Sequence, residues 1–217
     1  MHIAVLGATR NTGKFFVEQA IAKGGIGITI LVRAPESLTY TKKQLEKVAV
    51  VKGNALVKDD VTTAIADADI VLFTLGAKFN GFNTPADAGV ESEAAQVLLN
   101  AIKEKRADRP PRLIMVSSTG AGSAHDVPLL MRPLYATLLR TPHKHKGIAE
   151  NSIKGSGIPY TIVRPAFFKE GETTTGKYRA GPDVRGYTIT RNDLAHFILE
   201  TCVIKGEYLN ESPSIAY

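Results

Sequence analysis

The chain has 217 residues, 44% hydrophobic and 22% charged, with a formal charge of +6. That length fits one large α/β domain and leaves little room for a second core, and the composition is that of an ordinary soluble globular chain. Basic residues are scattered, which argues against nucleic acid, and no apolar run approaches the roughly 18–20 residues needed to span a bilayer.

Met1–Gly7 passes directly into a strand-like run without the basic and apolar regions of a signal peptide, so a cytoplasmic protein is expected. Residues 2–6 read as a first strand ending in a glycine-rich turn. Residues 12–23 carry Phe16, Val17, Ala20 and Ile21 on one helical face. Gly24-Gly25 ends that helix, and Ile26–Val32 and Val48–Val51 read as further strands. A short helix around 58–66 precedes a fourth strand, Ile70–Leu75. Residues 87–105 form a helix with Val90, Ala94, Val97, Leu98, Ala101 and Ile102 in a stripe, closed by Pro110-Pro111. Leu113–Val116 is a fifth strand, 144–155 a helix and Tyr160–Val163 a sixth strand. Asp193–Val203 reads as helix and Ser214–Tyr217 as a last strand. Cys202, the single cysteine, excludes an internal disulfide and a cysteine-based metal cluster, and its place on an apolar helix face predicts a buried thiol.

This alternation predicts a Rossmann-type α/β fold: a doubly wound parallel sheet, one domain over 1–217, with a small C-terminal extension on the substrate side. The irregular segments 119–142 and 165–188 both follow strand ends, where open α/β sheets bind ligands.

Gly7-Ala8-Thr9-Arg10-Asn11-Thr12-Gly13 joins the first strand to the first helix. A dinucleotide site needs a tight turn and backbone N–H groups facing a pyrophosphate at a helix N-terminus. Gly7 supplies the turn and Gly13 lets the helix pack close, while Thr9, Asn11 and Thr12 bring short polar groups. Arg10 stands where a middle glycine is usual. It either lays its guanidinium on a phosphate or crowds the site, and charge favours the first. Proteins preferring NAD end the second strand with an acid for the ribose 2′-hydroxyl. Here that strand ends in Arg33, which suits the 2′-phosphate of NADPH.

Taken with Val51-Lys52-Gly53-Asn54, Val116-Ser117-Ser118-Thr119, Lys146 before Glu150, Ser156–Pro165 and Ile189–Ala195, these motifs are specific. The chain resembles the atypical short-chain dehydrogenase/reductases, in the NAD(P)H-binding branch that includes biliverdin-IXβ/flavin reductase and NmrA-like proteins. The resemblance implies Asn54 near the adenine, where Asp is common. It implies Leu75, Gly76 and Ala77 beside the cofactor ribose, and Pro165, Ala166 and Phe167 beside the nicotinamide.

Enzymes of the wider family use Ser, Tyr and Lys, with Tyr four residues before Lys. Lys146 matches the lysine and is expected at the nicotinamide ribose, but Pro142 stands in the tyrosine position. Ser117 and Ser118 are the hydroxyl candidates, and Tyr135 is a displaced acid. His143 and His145 are weaker proton donors, and at i, i+2 they point apart and make no metal site. Phe79, Phe82, Leu129, Leu130, Met131, Leu134, Phe167 and Phe168 suggest an apolar pocket for an aromatic or conjugated small molecule. The expected function is NADPH-dependent reduction of a flavin, tetrapyrrole or quinone-like acceptor, in a monomer or homodimer. The alternatives are a non-catalytic NADP(H) sensor that binds a partner protein and, more weakly, a nucleotide-sugar epimerase or dehydratase.

Overall fold

The computed structural model describes residues 1–76, 89–121, 126–137, 140–171, 173–182 and 184–217. The strands are β1 (His2–Leu6), β2 (Gly27–Val32), β3 (Ala49–Lys52), β4 (Ile70–Phe73), β5 (Arg112–Val116), β6 (Tyr160–Pro165), β7 (Phe167–Lys169), β8 (Arg179–Gly181), β9 (Thr188–Thr190) and β10 (Ser214–Ala216). The helices are α1 (Asn11–Lys23), α2 (Lys42–Leu45), α3 (Lys58–Ala64), α4 (Val90–Lys105), α5 (Arg132–Thr137), α6 (Arg140–Lys154) and α7 (Arg191–Phe197). Eight strands form one sheet in the order β3-β2-β1-β4-β5-β6-β10-β8, and β7 pairs with β9 beside it. β8 is the antiparallel edge, against β10.

The strands are nearly continuous apolar runs because helices cover both faces. Side chains alternate across a strand. Ile3 and Val5 therefore pack with Phe16 and Val17 of α1 and Leu194 and Phe197 of α7. Ala4 and Leu6 pack on the other face with Val61 of α3, Leu98 and Ile102 of α4, and Ile153 of α6. Each such Leu, Ile or Phe contributes about 1.5–3 kcal/mol by leaving water.

Register aligns the strand ends. Leu6 pairs with Leu31 and Phe73, Phe73 with Met115, Val116 with Val163, and Pro165 with Ile215. Gly7, Arg33, Thr74, Ser117 and Ala166 thus all emerge at one edge, the carboxyl edge where such sheets bind ligands.

The two segments expected to be irregular contain structure. Residues 165–188 hold β7 and β8 and the start of β9, each strand only three residues long, too short to display a two-residue period. Residues 119–142 hold a 3₁₀ turn, Leu129–Met131, then α5 and the start of α6. The last helix changes from α to π at Ile198–Ile204. Cys202 is buried there, and burial pushes its thiol up to about 12.

Asp193, in the first turn of α7, ties down the C-terminal extension. It accepts hydrogen bonds from the Thr175 and Gly176 amides at 2.7 and 2.8 Å and from the Tyr217 hydroxyl at 2.5 Å. Burial pushes its carboxyl up, but these donors, with the Thr175 hydroxyl, outweigh that and hold it below the usual carboxylate range.

Candidate functional site

The turn after β1 is built from backbone. Gly7 has φ +108°, a conformation that L side chains avoid, and a Cβ there would lie 2.6 Å from Thr74 Oγ1. A Cβ on Gly13 would fall on the Gly7 carbonyl oxygen. Both glycines are therefore required by contact between helix, loop and strand. Asn11 takes φ +57°, a left-handed conformation that asparagine tolerates better than most residues. Two residues that sequence reasoning missed brace the turn. The Thr74 hydroxyl donates toward Leu6 O and Gly7 O at 3.1 and 3.2 Å. The buried Tyr40 hydroxyl donates to Ala8 O at 2.5 Å, and burial, with Glu18 nearby, pushes that phenol above its ordinary value. No local pattern announces either contact, because both partners come from distant segments.

Thr12 is buried at the start of α1, Thr9 is half-buried and Asn11 exposed. Arg10 precedes the helix in an extended conformation and makes no side-chain cap. Arg10 and Arg33 are exposed, and among the described residues neither guanidinium has a hydrogen-bond or ion-pair partner. Two unpaired cations thus stand at the carboxyl edge, beside the N-terminus of α1. Asn54 is half-buried. Its backbone N–H donates to Asp60 Oδ2 at 2.8 Å, and its side-chain oxygen accepts from the Leu56 backbone N–H at 3.1 Å.

The other end of the carboxyl edge is made of side chains. Ser117 is buried and donates to Glu150 Oε1 at 2.6 Å. Glu150 is fully enclosed and paired through both oxygens with Arg164, at 3.1 and 2.5 Å. Burial pushes the Glu150 carboxyl up, but the bonds from Arg164 and Ser117 and the charges of Arg164 and Lys154 hold it below the usual range. The Ser117 hydroxyl is therefore committed to an internal ion pair. Ser118 is half-buried, and its hydroxyl has no partner among the described residues.

Lys146 donates to Glu91 Oε1 at 2.7 Å, with side-chain exposures of 17% and 3%. Glu91 lies in the first turn of α4, where a carboxylate is favoured by the helix dipole. Sequence reading passed over it because one acid in an amphipathic helix carries no signal. A Cβ on Gly76 would lie 3.1 Å from the same oxygen. His143 is buried on α6, and burial, with the Lys146 charge, brings its imidazole down to about 4 despite Glu150. His145 turns away to Ser92. The Ser92 hydroxyl lies 2.9 Å from Gly89 O and 3.1 Å from His145 Nδ1, so it ties the two together.

Pro165 and Ala166 are buried and Phe167 half-buried at the end of β6. Ala77, Phe79 and Phe82 lie outside the described residues, as do the side chains of Leu134, Tyr135 and Pro142. Leu129 and Leu130 are exposed, and Phe168 packs on the Arg191 guanidinium, 4.4 Å from ring centre. A cleft lined by Lys169, Thr175, Thr190 and Tyr217 opens beyond the ends of β7, β9 and β10. Among the described residues, no helix is long and apolar enough to cross a membrane.

Comparison with known proteins adds four findings. The NAD(P)H-binding family model matches residues 7–203. The chain is 29% identical over 177 residues to Reductase pytE of Aspergillus terreus, covering 69% of this chain and 67% of pytE. It is 25% identical over 142 residues to the uncharacterized sugar epimerase YhfK of Bacillus subtilis, covering 65% of this chain and 60% of YhfK. A short-chain dehydrogenase/reductase of Veillonella parvula, solved in complex with NADP, superposes with a TM-score of 0.79. That match covers 100% of this chain and 94% of the other at 16% identity, a likeness of fold.

Proposed function

The chain belongs to the NAD(P)H-binding family, and from that premise we propose that it is an NADPH-dependent reductase of a small apolar or conjugated acceptor, of the atypical short-chain dehydrogenase/reductase type. The observation that carries this reading is the pair of unpaired guanidiniums, Arg10 and Arg33, flanking a turn whose glycines leave no room for a Cβ. The turn and the N-terminus of α1 hold a pyrophosphate, and Arg33 takes the 2′-phosphate as a charged fork. Lys146 takes the nicotinamide ribose, and Ser118 with Pro165–Phe167 borders the nicotinamide. When bound, the reduced nicotinamide supplies the hydride.

Ser118 has the open hydroxyl of the serine pair and is the group placed to hydrogen-bond an acceptor oxygen or nitrogen. With Pro142 in the usual tyrosine position, the phenolic acid–base group that epimerases and dehydratases keep is missing there, so the chain's similarity to YhfK does not move the reading to that chemistry. Reduction of a conjugated acceptor needs positioning above all, with the proton available from water. The name of pytE supports a reductase; flavin, tetrapyrrole or quinone-like acceptors rest on the resemblance alone.

Titration calorimetry should give NADPH a dissociation constant about tenfold or more below that of NADH, the scale of one charged contact. Arg33→Ala should abolish that difference while leaving NADH nearly unchanged. Equal constants for the two cofactors in the wild-type protein would refute the NADPH assignment. Loss of reduced-nicotinamide absorbance with a flavin, quinone or biliverdin-like acceptor tests the chemistry. Tight NADPH binding with no oxidation by any of them would overturn the reductase reading.

A further inference from the structure

We propose that Glu91 is the positioning residue that holds Lys146 against the nicotinamide ribose. The inference rests on the cofactor reading above and concerns how the lysine is aimed. A lysine carries a compact charge on a flexible four-carbon stem, and fixing that stem removes much of its rotamer freedom. A lysine that is to reach a ligand at the carboxyl edge needs something to hold it. Glu91 is that group: its carboxylate is 3% exposed, its Oε1 lies 2.7 Å from Lys146 Nζ, and it stands on a different helix from the lysine.

Donor arithmetic supports the role. An ammonium has three N–H groups and no acceptor. One is directed at Glu91 Oε1. Two remain, the number needed to reach the two vicinal hydroxyls of a ribose. Gly76 belongs to the same device. Its missing side chain is where the Glu91 carboxylate comes close, with a Cβ falling 3.1 Å from Oε1. The glycine after β4 thus leaves room for the carboxylate. Stability alone does not explain the pair, since a buried ion pair is often no more stable than apolar residues of the same volume.

The test uses Glu91→Gln, which keeps size and an acceptor oxygen but removes the charge. Two probes are titrated: NADPH, and adenosine 2′,5′-bisphosphate, which carries the adenine and 2′-phosphate but has no nicotinamide ribose. Glu91→Gln should weaken NADPH about tenfold and the fragment by less than about twofold, because one charge-assisted bond is altered at one end of the site. In a Lys146→Ala background, Glu91→Gln should add less than about twofold, since a residue acting through another has no effect once the other is gone. Equal losses for both probes would make Glu91 a structural residue and overturn the proposal. Unchanged NADPH affinity in Glu91→Gln would also overturn it. A wild-type protein that binds neither probe would refute the cofactor reading itself.

Discussion

The two ends of the sheet's carboxyl edge are built from different materials. At the end by β1 and α1 stands a turn a few residues long, whose shape rests on glycines that leave no room for a Cβ. At the end by β5 and α6, Ser117, Glu150, Arg164, Lys146 and Glu91 converge from four elements and pair with one another. The first end is fixed by local conformation and tolerates no added atom. The second is fixed by charge, and each group is held by its partners. A substitution at the first should therefore act through shape, and one at the second through protonation and pairing.

The largest effect should come from breaking the shape. In Gly13→Val, the new Cβ meets the Gly7 carbonyl oxygen, a backbone atom held by the Thr74 hydroxyl, so α1 must move off β1. NADPH affinity should fall more than about 100-fold, and the melting temperature should drop as well, because overpacking a tight contact costs typically 1–3 kcal/mol or more. Calorimetry and thermal unfolding measure both. Unchanged NADPH affinity would show that this turn is not the dinucleotide site.

The same division explains what was legible in the sequence. Gly7 and Gly13 announce a turn because their conformations depend on neighbours in the chain, and the apolar runs that became β1, β2, β4, β5 and β6 announce a buried parallel sheet. Lys146 was found through the family resemblance, which also set Pro142 where that family carries a tyrosine. Glu91, Tyr40 and Thr74 were not found, since each acts on a partner at least 32 residues away. Ser117 and Ser118 looked equivalent side by side. Only the fold shows that Ser117 turns inward to Glu150. The strands β7, β8 and β9, each three residues long, lie within or at the end of a stretch read as irregular, where neither period nor apolar run marks them.

A smaller effect should appear on acidification, at the charged end. Burial and the Lys146 charge lower the His143 imidazole from 6.5 to about 4. The folded protein thus binds fewer protons there than the unfolded chain. His143 contributes its stability in full above about pH 6.5 and loses it as pH falls toward 4. The slope approaches about 1.4 kcal/mol per pH unit and the total about 3 kcal/mol. Glu150 and Asp193, both held below the usual range, add their losses only at more acidic pH, below the ordinary carboxylate values. Denaturant unfolding of His143→Gln should be flatter between pH 6.5 and 4 than that of the wild type. Identical pH profiles would mean that His143 takes up its proton as freely in the folded state as in the unfolded one.

The smallest effect sharpens the contrast between neighbouring serines. Ser117→Ala removes one of the donors to Glu150 and leaves the Arg164 pair in place, so the carboxylate keeps a partner on both oxygens. Losing a hydrogen bond to a charged group costs about 1.5–3 kcal/mol, which here falls on folding. The Glu150 carboxyl should rise toward its ordinary value, making the variant more acid-sensitive than the wild type. Turnover below the melting temperature should change by less than about threefold, because the hydroxyl is not offered to substrate. Ser118→Ala should do the opposite, leaving the melting temperature nearly unchanged and slowing turnover by up to roughly 100-fold, the low end for one acid–base or oxyanion group. The two variants, compared at one temperature with NADPH saturating, separate a serine that builds the site from one that works in it. If Ser117→Ala loses turnover as Ser118→Ala is expected to, with its melting temperature intact, then the bond to Glu150 opens during the reaction and the charged end is less fixed than its pairing implies.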